Sequence, residues 1–187
     1  MASARLLLGL RIKYGETTPL KTCSELKATI TVERGRPAKD FIVNPFVTKL
    51  LKTKRIKPGF KFGHIKLRYY PDFNLLESLA HYPYPLLFPS EAPKRGYGGS
   101  GIATTIETRV LEEAKSRYPK IRTFKNFAPS ERRSKQLSKI GLTQSELWEK
   151  IKFSRYRRLL RKKLAKDLRA ARTPIKVQTP HRRKKHF

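Results

Sequence analysis

One cysteine, one methionine and one tryptophan stand among 187 residues, and only 14 acidic side chains accompany 44 lysines and arginines. The single cysteine, Cys23, excludes an intrachain disulfide framework and a cysteine-based zinc ribbon. His64, His81, His181 and His186 have no metal-ligand spacing with it, and two of them lie in a basic tail, so no metal or other cofactor is expected. Long hydrophobic runs are missing too. The longest near-uncharged stretch, Asp72 to Ser90, is interrupted by Pro83, Pro85 and Pro89, which excludes a membrane-spanning helix there. The shortage of acid has the largest consequence, a formal net charge of +30. A free globule so charged repels itself, and only a dense polyanion offers enough negative charge nearby to offset it. Nucleic acid is the first expectation and an anionic membrane the second. Neither a small-molecule substrate nor catalysis is expected.

The charge is uneven. Residues 1–90 hold 16 basic and 6 acidic side chains, whereas 91–187 hold 28 and 8, so the polyanion is expected mainly on the second half. The first half mixes short strand-like and helix-like segments and predicts a small mixed α/β module over 1–80. Leu8, Leu10, Ile12 and Tyr14 alternate with Arg11 and Lys13, the pattern of a first strand. The same stretch, with Arg5, Arg11, Lys13 and no acid before Gly15, also suits a mitochondrial targeting segment. Ala28 to Val32 reads as a second strand before a turn at Glu33 to Pro37. Asn44-Pro45 reads as an N-cap and first-turn proline opening a helix whose Phe46, Val47, Leu50 and Leu51 share a face. From Phe60 to Tyr70 the alternation slips at Gly63-His64, which predicts a bulged strand.

Residues 81–101 form the next unit. Tyr82 to Phe88, punctuated by prolines, should run extended, and its lack of positive charge favours packing on protein over stacking on bases. Gly96-Tyr97-Gly98-Gly99-Ser100-Gly101 matches G-x-G-x-x-G, but Pro89 to Arg95 is no hydrophobic strand, and Tyr118 to Arg122 stands where an acidic ribose ligand belongs. A linker, or a loop bringing Lys94 and Arg95 to a phosphate backbone, fits better. Over 102–142 helical spacing begins with Ile102, Ile106, Val110, Leu111 and Ala114 on one face. Glu112 and Glu113 point about 100° apart, so they suit a salt-bridged face rather than paired acid/base chemistry. Pro129-Ser130-Glu131 reads as another helix start, bringing Arg132, Arg133 and Lys135.

The box Thr143-Gln144-Ser145-Glu146 predicts one long helix over 143–172, with 11 basic and 3 acidic residues, stopped by Pro174. At 1.5 Å per residue it would span about 43 Å. Leu147, Trp148, Ile151, Leu159, Leu164 and Leu168 make a narrow apolar stripe. Around it lie Lys152, Arg155, Arg157, Arg158 and Arg161, then Lys162, Lys163, Lys166, Arg169 and Arg172, as expected for phosphate contacts along its length. Trp148, Ile151 and Phe153 are expected to anchor it on protein, with base stacking the alternative for Phe153 or Tyr156. The stripe is too thin for membrane insertion, and no heptad persists. The tail 173–187 adds Arg182, Arg183, Lys184 and Lys185 and carries no acid.

A small mixed module, a glycine-rich loop at Gly96 to Gly101, a long Arg/Lys helix at Gln144 to Arg172 and an extended basic end at His181 to Phe187 resemble ribosomal proteins as a class. The Pro/Tyr-rich segment and the presequence-like start resemble the mitochondrial type. The resemblance implies a non-catalytic α+β protein of the mitochondrial matrix, or of the cytoplasmic ribosome as the alternative. It implies rRNA and neighbouring ribosomal proteins as partners. Competing expectations are a ribosome-assembly or RNA-processing factor, which would need a pocket of convergent polar groups, and a DNA- or chromatin-binding protein, which would need a groove-reading motif.

Overall fold

The alternating segments of the first eighty residues fold as sheet. The computed structural model describes residues 6–20, 22–83, 101–126 and 131–172. β1 (Leu7–Leu20) and β2 (Cys23–Gly35) form a hairpin that puts Leu10, Ile12, Leu26, Ala28, Ile30 and Val32 on one buried face. A two-residue strand, β3 (Phe41–Ile42), pairs with β1 at Leu10 and Arg11. Asn44 then caps α1 (Pro45–Thr53) by accepting from the Val47 N–H at 3.0 Å, with Pro45 in the first turn and Val47, Leu50 and Leu51 buried, as the periodicity predicts. β4 (Lys61–Tyr70) pairs with β2, and the register shifts where Ile30 and Thr31 face Gly63 and Lys61, the expected bulge. A single 3₁₀ turn, Pro71–Phe73, leads into β5 (Leu75–Pro83).

Sheet and core both run past residue 80. α2 (Ile102–Arg117) carries the chain from β5 to β6 (Thr123–Asn126), which pairs parallel to β5; a parallel neighbour needs such a crossover. α3 (Glu131–Lys139) and α4 (Gln144–Trp148) follow, and β7 (Ile151–Lys152) closes a seven-stranded sheet of order β3-β1-β2-β4-β5-β6-β7, antiparallel except at β5–β6. α5 (Phe153–Arg172) completes the described chain. Apolar residues from Leu10 to Leu160 join in one cluster, with Ile106, Val110 and Leu111 of α2 and Tyr156 of α5 against one face of the sheet. The result is mixed α/β: five helices and seven strands among the described residues.

The single helix expected over 143–172 is instead α4, β7 and α5. The capping box forms, with the Glu146 N–H donating to Thr143 Oγ1 at 3.3 Å and the Thr143 N–H to Glu146 Oε2 at 3.0 Å. Yet Glu149 is extended, at φ −101° and ψ 179°. At 100° per residue, a continuous helix would turn Leu147 and Ile151 roughly opposite to Phe153, Tyr156 and Leu160, so only one group could be buried. Breaking at Glu149 buries all five, and the Phe153 N–H donates to the Arg122 carbonyl at 2.8 Å. The basic helix is therefore 20 residues long. Of the expected extended segment, 84–100 lie outside the described residues, as does the tail 173–187. Gly101, the last glycine of the loop, caps α2 at φ +75°, where a Cβ would come within 2.5 Å of the Phe46 ring, so this position requires glycine.

Candidate nucleic-acid interface

The cations of α5 separate by what they touch. Phe153, Tyr156 and Leu160 turn inward, and Tyr156 stacks on Phe124 with ring centroids 4.4 Å apart. The Tyr156 hydroxyl donates to Glu107 of α2 at 2.5 Å, and both residues are buried. Tyr156 and Phe153 are thus core side chains, and neither is placed to stack on a base; Trp148, expected as an anchor, is 52% exposed. Near this inner face Arg155 holds Glu146 through two hydrogen bonds, Nε to Oε1 at 2.8 Å and Nη2 to Oε2 at 3.2 Å. Arg161 reaches Glu112 of α2 at 3.0 Å, and Lys163 pairs with Asp167 one turn on at 2.6 Å. The Arg157 guanidinium lies over the Phe153 ring at 5.5 Å with its Nε buried and without an acceptor; burial lowers its pKa from the ordinary arginine value, and the charge of Arg161 adds to this.

The outer face of α5 remains. Arg158, Lys162 and Lys166 follow at intervals of four and are exposed, and exposed Arg169 and Arg172 continue the stripe. Lys152, on β7, is exposed beside the start of the helix. Lys135 is exposed on α3, where Arg132 and Arg133 also fall, whereas Arg182, Arg183, Lys184 and Lys185 lie outside the described residues. The structure therefore brings the α5 cations onto one helix but assigns Arg155, Arg161 and Lys163 to internal pairs. Glu112 and Glu113 serve as ion-pair partners, Glu112 for Arg109 and Arg161, Glu113 for Lys39 and Arg117.

The second face of the sheet is polar, and the sequence reading did not single it out. Directly opposed cross-strand residues share a face, which places Arg11 and Lys13 of β1, Glu25, Lys27, Thr29, Thr31 and Glu33 of β2, and His64, Lys66, Arg68 and Tyr70 of β4 together. Most of its charges are matched. Arg11 meets Asp40 at 2.8 Å and Glu33 at 3.4 Å, Lys13 meets Glu33 at 2.8 Å, and Arg68 Nε donates to Glu25 at 2.9 Å. Lys27 and Lys66, however, oppose each other across β2 and β4. Beside them His64 has its pKa lowered by burial first and by both lysine charges next. Strand alternation alone points Lys27 and Lys66 outward, but only the register reveals that they meet.

Cys23 is buried as a packed thiol. Among the described residues no group of histidines, cysteines and acids is arranged to hold a metal, and no helix is long and apolar enough to cross a membrane. No family model matches the chain, and comparison with curated proteins and solved structures finds no match either.

The Glu146 link yields a pH prediction. Arg155 first, and the Thr143 N–H next, hold the Glu146 carboxyl down at about 2, against 4.5 for an ordinary glutamate. A carboxylate with a depressed folded pKa contributes stability that is present above its unfolded value and lost as pH falls through the folded one. The α4–α5 tie should thus weaken between about pH 4.5 and 2. A carboxyl-detected NMR titration should place the Glu146 midpoint near 2, and in Arg155→Ala it should move up toward 4.5. A native midpoint near 4.5 would refute the link.

Proposed function

We propose that this chain is a structural, non-catalytic RNA-binding constituent of a ribosome, with the mitochondrial ribosome favoured over the cytoplasmic one. The observation that carries the reading is the outer face of α5, where Arg158, Lys162 and Lys166 are exposed at one-turn intervals while neighbouring arginines are spent on protein contacts. Lysines neutralise phosphates, arginine forks bridge adjacent ones, and each contact releases condensed counterions, so binding is tight, salt-sensitive and directed by shape. A net charge of +30 supports a polyanion as the partner of the whole surface. In this reading the partners of the chain are rRNA helices and neighbouring ribosomal proteins.

Cofractionation on a sucrose gradient tests the proposal. The native protein should migrate with mature ribosomal subunits from purified mitochondria and leave them after RNase treatment. Migration with precursor particles alone would replace this reading with an assembly factor, and a position at the top of the gradient would end the ribosomal assignment.

A further inference from the structure

The helices bury their apolar residues against one face of the sheet, and α5 belongs to that layer. The other face carries an arrangement that is unfavourable in the isolated protein. Lys27 and Lys66 are directly opposed, both are half-buried, and like charges so placed destabilise a strand pair. Among the described residues no carboxylate pairs with either one, since the nearest on the same strand, Glu25, is held by Arg68. On the same face Lys61 lies opposite Thr31, and His64 opposite Thr29. The unmatched charges of Lys27 and Lys66 thus lie together on this face, beside the Thr29 hydroxyl and between the ion pairs of Lys13 with Glu33 and of Arg68 with Glu25.

We propose that this polar sheet face is a second nucleic-acid contact, at which Lys27 and Lys66, assisted by Lys61 and the Thr29 hydroxyl, hold the phosphate backbone of an RNA segment distinct from the one on α5. A phosphate between the two lysines converts their repulsion into two attractions, and the hydroxyl of Thr29 is an ordinary donor to a phosphate oxygen, whereas that of Thr31 donates to Glu33 at 3.0 Å. The face and the outer side of α5 belong to opposite layers, so one straight duplex cannot cover both. The protein therefore bridges two RNA segments. This inference rests on the RNA-binding reading above and adds a site that α5 alone does not supply.

The test uses the full chain with two populations of a short RNA duplex, one carrying a fluorescence donor and the other an acceptor. Native protein should bring the two together, giving energy transfer at 0.15 M salt that 1 M salt abolishes. In Lys27→Ala/Lys66→Ala the second duplex should bind roughly 15- to 30-fold more weakly, the effect of losing two phosphate contacts, while binding of the first is retained. Lys27→Glu should weaken bridging as well, yet its melting temperature should hold or rise because it exchanges a like-charge pair for an ion pair. A purely structural role for Lys27 would lower it. Single-duplex binding without bridging by the native protein, or bridging unchanged in both variants, overturns the sheet-face proposal and leaves the α5 reading intact. No binding of either duplex overturns both. Bridging lost in Lys27→Glu together with a lowered melting temperature also counts against the proposal, and Lys27→Ala/Lys66→Ala then decides it by whether a folded variant still bridges.

Discussion

Reversing three charges on the outer face of α5, Arg158→Glu, Lys162→Glu and Lys166→Glu together, is expected to weaken binding to structured RNA roughly 50- to 200-fold at 0.15 M salt. The magnitude follows from counterion release. Each phosphate contact contributes about 0.7–0.9 to the slope of log K against log salt, which amounts to about a four- to sixfold gain per contact at that concentration. The plot of log K against log salt should flatten by about 2 to 3 units of slope in the triple variant. Folding should be unaffected, because none of the three side chains is among the ion pairs within the described chain and all three are exposed. Arg155→Glu offers the contrast. It breaks the tie to Glu146, so it should act on stability more than on RNA affinity. Fluorescence anisotropy with a labelled hairpin, measured across a salt series, decides the matter. Affinity and slope unchanged in the triple variant would remove α5 from the interface.

Tyr156→Ala is expected to be the most damaging single truncation in α5. The side chain is fully buried, stacks on Phe124 and donates to a buried carboxylate. Removing a large buried ring costs about 3–5 kcal/mol in lost transfer energy and residual cavity, a large share of the roughly 5–15 kcal/mol that holds an ordinary domain together. The alanine variant should accordingly express poorly or unfold at low urea. Tyr156→Phe separates the hydroxyl from the ring. It takes one donor from Glu107 and should cost about 1–3 kcal/mol, seen as a lower urea midpoint at unchanged slope. Under conditions where the phenylalanine variant is folded, its RNA affinity should match the native protein's. A drop in affinity on Tyr156→Ala at full stability would instead revive a base-stacking role.

These two residues also show how far the pattern of the chain could be read. Arg158 and Tyr156 are neighbours on one basic helix, and composition marks both as RNA-binding candidates. Phase separates them. Tyr156 shares a helical face with Phe153 and Leu160, and all three are buried. The same phase relation, carried back to Leu147 and Ile151, contains the signal that the expected long helix must break. Against it stand the absence of glycine and proline over 143–172 and a genuine capping box at Thr143, which locally favour one helix. Glu107 of α2 carries a charge that by itself suits a solvated position. It is 3% exposed, accommodated because a tyrosine 49 residues away supplies a proton donor. No local pattern carries that information.

The sequence by itself determined the local elements and the net electrostatics. The alternation in β1, β2 and β4, the bulge near Gly63, the Asn44 cap, the apolar face of α2 and the Thr143 box are all set within a few residues of chain, where side-chain periodicity and hydrogen-bonding geometry act. The excess of cations over acids is likewise a property of composition. Only the tertiary structure decided which cations remain available and which are consumed. Arg155, Arg161 and Lys163 find carboxylates, Arg157 is drawn over a ring, and Arg158, Lys162 and Lys166 stay outward. Only strand register brought Lys27 against Lys66, because a shift of one residue in β4 would have turned Lys66 to the other face. Electrostatic contacts depend on distances of a few ångströms between residues remote in sequence, and those distances exist only once the sheet is paired and the helices have packed upon it.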